Sequence, residues 1–210
     1  FDITALPAAG PALAQANLVV WAVKPQMFSE AAAPVMPHTR TALHLSVAAG
    51  IRTDSICRWV GTERVVRCMP NTPALVGQGI TGLFPCSSVT SADKTLVEQV
   101  IGTTGQYLWV GQESQLDAVT ALSGSGPAYV FYFIEALQAA AEAQGFTAEA
   151  ARELALQTFA GSLKLALNSS DEVSVLRAKV TSKGGTTERA IKVMESEGIK
   201  ASIQLAVEGA

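Results

Sequence analysis

Short, unbroken apolar runs alternate with stretches of helical period over the first half of the chain. LVVWAV (residues 18–23), the core of TALHLSVAAG (41–50), RVVRCM (64–69), ITGLFP (80–85) and QYLWV (106–110) are strand-length runs. Helical spacing fills residues 27–36, the gap before Arg64, and residues 91–101. Continuous apolar strands separated by helices are the pattern of a buried parallel sheet with right-handed crossovers. After Gly111 the strand signals stop. Val130, Phe133, Ile134, Leu137, Ala140 and Ala141 keep helical period, as do Leu154, Ala155, Phe159, Leu163 and Ala166. Thr147 sits between these two helices as an expected N-cap, with Glu149 complementing the dipole. The expected fold class is therefore a parallel α/β domain over residues 1–112, followed by an all-helical domain over residues 113–210.

Composition narrows the function classes. The chain has 210 residues, 49% hydrophobic and 16% charged, with a formal net charge of −3. No Lys/Arg run provides a footprint for nucleic acid, and no apolar run is long enough to span a bilayer. Cys57, Cys68 and Cys86 are an odd set at wide spacing, fitting neither a metal site nor a disulfide framework, so reduced thiols in a cytoplasmic protein are expected. His38 and His44 have no acidic or thiol partner at metal or triad spacing and read as structural. No metal is expected. The excess of Ala, Val and Leu fits close helix packing or a buried oligomer interface. The chain opens at Phe1 without an initiator Met or signal-type start, so we expect it to begin partway into its fold.

Ligands of an open parallel sheet bind beyond the carboxyl ends of its strands. Three such ends are legible: AVKP, SVAAG and CMPNTP, each closing in small residues, Pro or Asn. Together they form a rim against which a flat nucleotide cofactor can lie. Lys24 could steer an anion there or be a solvated loop lysine. A second feature is VTSKGGTTERAIKVME (180–195), where two glycines and two threonines precede a helical face of Ala190, Ile191 and Met194. Free N–H groups at such a helix start make a pocket for a small carboxylate, and Thr187 would place a hydroxyl beside it. On this stretch alone an ordinary capped helix with a flexible lead-in is the plainer reading, because capping threonines are common. GSGPAY (124–129) follows a helical pattern rather than a strand, so we read it as close helix packing. Glu113, Asp117, Asp171 and Glu172 read as helix-terminus acids.

Taken in order, AVKPQ, SVAAG, RVVRCMPNTPALVGQGITG, DAVTALSGSGPAYVFYFIEAL and VTSKGGTTERA resemble the pyrroline-5-carboxylate reductases, from Asn17 to the C-terminus. Two departures stand out. The family's opening strand and Gly-rich phosphate turn have no counterpart here. Its common Ser-Pro-Gly-Gly appears as Ser182-Lys183-Gly184-Gly185, and its frequent upstream His-Pro is replaced around Glu172-Val173.

The resemblance implies an oxidoreductase that transfers hydride from NADPH or NADH to the C=N bond of 1-pyrroline-5-carboxylate, giving L-proline. It implies an α/β Rossmann-type NAD(P)-binding domain over residues 1–112, lacking its first strand and Gly-rich turn, and a homodimer or larger homo-oligomer built on the all-α helical domain over residues 113–210. Ala22, Val23, Lys24, Pro25, Val47, Ala48, Ala49 and Asn71 would line the cofactor, joined by Glu113. Ser182, Gly184, Gly185 and Thr186, with Asp171, would bind substrate. Thr187 would hydrogen-bond the ring nitrogen as the catalytic residue. The choice between NADPH and NADH is not legible. Two rivals stay open: a hydroxyacid dehydrogenase of similar architecture, and a non-enzymatic dimerisation module. The first uses a Lys on a long helix, and none lies between Tyr107 and Lys164.

Overall fold

A computed structural model describes residues 4–210, so the start at Phe1 lies outside the described residues. The chain divides into two compact units, residues 1–127 and 128–210. Each is described by itself.

The first unit holds a five-stranded sheet in the order β1 (Leu18–Trp21), β2 (Leu43–Ser46), β3 (Val65–Met69), β4 (Gly79–Pro85), β5 (Gly105–Trp109). β1, β2 and β3 are parallel, with Leu18 opposite Leu43 and His44 opposite Val65. Their crossovers carry α1 (Phe28–Val35) and α2 (Thr53–Val60), and α3 (Ser91–Ile101) joins β4 to its parallel neighbour β5. One pairing departs from the expected all-parallel sheet: β4 runs antiparallel to β3, with Cys68 opposite Leu83. The reason is connection length. Only a short 3-10 turn, Thr72–Val76, separates β3 from β4, whereas a parallel return needs about a dozen residues or more.

Strand alternation divides the core between the two faces of the sheet. Val65 points into a cluster with Trp21, Phe28, Ala32, Ile56 and Val60, so α1 and α2 cover that face. Its neighbour Val66 points the other way, into Leu43, Leu45, Cys68, Leu83, Val97 and Ile101 under α3. Helices on both faces explain why the strands read as continuous apolar runs.

His44 is buried in this core, where its Nδ1 accepts the Trp21 indole N–H at 2.9 Å and its Nε2 meets the Thr39 carbonyl at 3.0 Å. The reading of His44 as structural therefore stands on a filled pair of partners. Helix boundaries follow their sequence signals. Thr90 and Asp93 form a reciprocal capping box at the start of α3, and Gly61 closes α2 in the left-handed region at φ 73°. Gly105 is fixed more strictly: at φ 139°, an added Cβ would lie 2.1 Å from the Gly79 carbonyl oxygen.

After β5 a short helix, α4 (Gln115–Val119), buries Leu116 and runs through a π-turn, Thr120–Gly124, into α5 (Gly126–Ala143). The second unit contains most of α5, then α6 (Ala148–Leu167), α7 (Val173–Lys179), α8 (Thr186–Ser196) and α9 (Ile199–Glu208). Thr147 caps α6 as expected, its hydroxyl accepting the Ala150 N–H at 3.3 Å. Few of this unit's apolar side chains are covered within the chain. Ala151 and Ala155 are buried, whereas Phe131, Tyr132, Leu165, Leu167 and Val173 are each at least 60% exposed.

Candidate functional site

The parallel run of β1, β2 and β3 brings the three strand-end turns to one edge of the sheet. Ala22 and Val23 follow β1, and Lys24 and Pro25 open a 3-10 turn there. Val47, Ala48 and Ala49 follow β2; the Val47 N–H donates to the Trp21 carbonyl at 3.2 Å, tying the first two turns together. Ala48 is buried and its N–H meets the Ser46 hydroxyl at 3.3 Å, while Ala49 and Gly50 are exposed. Gly50 is in the left-handed region at φ 75°, and a Cβ there would meet open space. At Gly50 the backbone is open to close approach by a flat ligand.

Asn71 follows β3 and is half-buried, but its amide is already engaged. The side-chain N–H₂ donates to the Ser123 carbonyl at 3.1 Å and the side-chain oxygen accepts the Ile80 N–H at 2.9 Å. The amide therefore joins the β3 turn to the start of β4 and to the π-turn. Asn71→Leu would therefore disturb folding as well as the rim. Leucine strands a backbone donor and a backbone acceptor, at about 1–3 kcal/mol for each group left unsatisfied. We expect a lowered unfolding midpoint in urea alongside any change in cofactor KM; an unaltered midpoint would show that water replaces both contacts.

Glu113 is held by three hydrogen bonds from two distant segments. Its carboxylate accepts the Thr53 N–H at 2.7 Å, the Thr53 hydroxyl at 2.8 Å and an Arg67 guanidinium N–H at 2.9 Å. The Arg67 side chain is 5% exposed and that of Glu113 14%, with Asp117 at 3.6 Å from the other guanidinium nitrogen. Burial pushes the Glu113 carboxyl upward, but the hydrogen bonds from Arg67 and Thr53 outweigh it and hold the pKa below the usual value. Arg67 lies on β3 and Thr53 begins α2, so Glu113 secures the elements that carry two of the three rim turns. No spacing in the sequence pointed to Arg67 or Thr53.

In the second unit, Ser182, Gly184, Gly185, Thr186 and Thr187 form one continuous segment at the start of α8. Gly184 is in the left-handed region at φ 76°, and its N–H donates to the Glu188 carboxylate at 2.7 Å. Gly185 is the N-cap residue and supplies no side-chain cap; its N–H goes to the Ser182 carbonyl at 3.0 Å. Thr186 and Thr187 are exposed, and neither hydroxyl makes a hydrogen bond among the described residues. A threonine serving as the cap would bind a backbone N–H of the first turn, so the capping explanation loses its support here. Asp171 stands apart: its carboxylate is held by Lys179 at 2.5 Å and touches the Ser169 hydroxyl at 3.5 Å, not the 182–187 segment.

Among the described residues no group of three His, Cys, Asp or Glu side chains is arranged for a metal ion. No described helix is long and apolar enough to cross a membrane.

Comparison with known proteins covers both units. Residues 113–210 match the family described as pyrroline-5-carboxylate reductase dimerisation. A pyrroline-5-carboxylate reductase of Pseudomonas aeruginosa is 42% identical over 214 aligned positions, spanning 100% of this chain and 78% of the relative. The Glycine max enzyme is 36% identical over 99% of this chain and 76% of its own length. Among solved structures, a pyrroline-5-carboxylate reductase from Coxiella burnetii superposes with a TM-score of 0.86 at 42% identity, covering 93% of this chain and 73% of that one. A Plasmodium falciparum pyrroline carboxylate reductase with NADP bound gives 0.85 at 32% identity, over 96% and 78%.

Proposed function

The chain belongs to the pyrroline-5-carboxylate reductase family, and from that premise we propose how its residues divide the work of the reaction. The activity is reduction of 1-pyrroline-5-carboxylate to L-proline, the last step of proline biosynthesis, with NAD(P)H as hydride donor. The nicotinamide, when bound, supplies the hydride; the chain must position, orient and handle one proton. That demand is modest. Holding two reactants in contact distance is itself a large part of such a barrier, so the absence of a His or Cys at the substrate segment is no obstacle.

Residues 1–112 serve as the NAD(P)-binding part, with Ala22, Val23, Lys24, Pro25, Val47, Ala48 and Ala49 along the cofactor. Asn71 and Glu113 support that rim from behind through their own hydrogen bonds. The open turn at Ala49 and Gly50 fits a pyrophosphate or ribose passing close to backbone. Residues 113–210 serve as the dimerisation and substrate part. The first-turn N–H groups of α8 attract the ring carboxylate, with Ser182, Gly184, Gly185 and Thr186 shaping the cradle. Asp171, tied to Lys179, fixes the lead-in to α7 and is the least direct member of the set. Thr187 donates its hydroxyl hydrogen to the ring nitrogen or stabilises the iminium as hydride reaches the adjacent carbon. The observation that carries this reading is the unengaged Thr187 hydroxyl at an α8 start without a side-chain cap. Replacing Thr187 by Ser and by Val tests it.

The homo-oligomer belongs to the same reading. Phe131, Tyr132, Leu165 and Leu167 would cover one another across a dimer rather than face water. We place the interface mainly after Asp117. Sedimentation at micromolar concentration should give at least twice the single-chain mass, and a single-chain mass there would defeat the assignment. The cytoplasm is the expected compartment, where Cys57, Cys68 and Cys86 stay reduced.

A further inference from the structure

Three cysteines that look unrelated in the sequence do not stay so in the fold. Cys57 on α2 and Cys86, immediately after β4, bring their sulfurs to 3.6 Å. Cys68 is sealed in the core, 1% exposed, with its S–H on the Ser46 carbonyl at 3.1 Å. Cys57 and Cys86 are half-buried and share the wall of an open cavity of about 480 Å³ with Thr53, Asp54, Glu63 and Ser87. From these observations we infer that Cys57 and Cys86 are a thiol–disulfide exchange pair that small disulfides can oxidise to an internal cross-link.

The geometry supports closure without unfolding. The Cys57 carbonyl accepts the Gly61 N–H at 2.9 Å at the end of α2. Across the gap, the Cys86 N–H is held by the Val65 carbonyl at 2.9 Å and its carbonyl by the Val89 N–H at 3.1 Å. Both backbones are anchored, so closing to a bond of about 2.0 Å falls to the side chains. Entry is by Cys86. Burial raises both thiols, Cys57 to about 12, but at Cys86 the Cys57 thiol and the Thr53 hydroxyl offset part of that rise. The Cys86 thiol gives its proton to solvent and its sulfur attacks one sulfur of the small disulfide. One small thiolate leaves and takes up a proton. Cys57 then loses its proton and attacks the Cys86 sulfur of the mixed disulfide, releasing the second small thiol. Two protein thiols are oxidised by two electrons in all, and one disulfide is reduced to two thiols. Because Asp54 and Glu63 make the cavity acidic, a cationic disulfide enters faster than an anionic one.

The test is to incubate the full-length enzyme with cystamine, and in parallel with oxidised glutathione, then count thiols after denaturation. We expect the titre to fall by two thiols, faster with cystamine, with a Cys57–Cys86 linked peptide and full recovery in dithiothreitol. In Cys57→Ser the reaction should stop at a stable cysteamine adduct on Cys86. A titre that does not fall, a lasting mixed disulfide in the unsubstituted enzyme, or a link involving Cys68 would overturn the inference.

Discussion

Thr187→Val should reduce kcat/KM for 1-pyrroline-5-carboxylate by roughly tenfold to a thousandfold, while Thr187→Ser keeps most of it. Valine preserves the β-branched shape and removes the hydroxyl; serine keeps the hydroxyl and removes a methyl. Thr187 is exposed and its hydroxyl makes no hydrogen bond among the described residues, so neither substitution should shift the unfolding midpoint much. A packing role predicts the reverse order, because shape would matter more than the hydroxyl, and a capping role would show instead as a lowered unfolding midpoint for the valine variant. The loss should fall on the chemical step more than on NAD(P)H binding, since the residue lies in the helical unit and the rim lies in the other. Kinetics followed by nicotinamide absorbance decide the matter, and a fully active valine variant ends the catalytic role.

Glu113→Gln is the other large effect, and it is one of stability. Removing the charge leaves the Arg67 guanidinium buried beside a neutral group. Breaking a buried pair in this way costs about 3–5 kcal/mol, and exposed Asp117 at 3.6 Å retains only part of the compensation. We expect about 3 kcal/mol, or roughly 10 °C in Tm for a chain of this size, compared at equal protein concentration. Adding Arg67→Met to Glu113→Gln should cost less than the two changes summed, because no lone buried charge remains. The pH dependence has a fixed sign. The folded carboxyl titrates below its ordinary value of 4.5, so an unfolded chain binds this proton first as pH falls. The stabilisation is complete above that ordinary value and is lost as pH drops through the lower folded one. A Tm for Glu113→Gln within a degree or two of the parent would mean that water satisfies Arg67.

What the sequence disclosed depended on the range of the interaction. Residues 18–23 and 64–69 announced themselves as strands because continuous apolar character needs no partner to be recognised. The direction of β4 was hidden, since ITGLFP has the same composition in either orientation and only the short turn before it decides. Thr147 was legible because capping acts within four residues, and the α8 start because two glycines precede a helical face of Ala190, Ile191 and Met194. The Thr53–Arg67–Glu113 cluster was not, because it joins three distant segments with no shared period. Glu113 was singled out only through the family resemblance, without its partners. Cys57 and Cys86 were judged by spacing, which says nothing about proximity across a sheet face. For Asn71 the strand-end position was legible, but its two bonds depend on Ile80 and on Ser123, both set by the tertiary fold.

The antiparallel return of β4 also bears on the order in which the sheet can assemble. Met69 pairs with Gly82 across one short turn, whereas Leu18 must find Leu43, and Gly79 must find Gly105, each across a whole helix. Loop-closure entropy grows with the length of chain enclosed, and distant pairings slow folding. The β3–β4 hairpin is therefore the cheapest junction between strands to form. Once made, it offers β2 a free edge on one side and β5 a free edge on the other, so the sheet can grow outward from its middle strands in both directions.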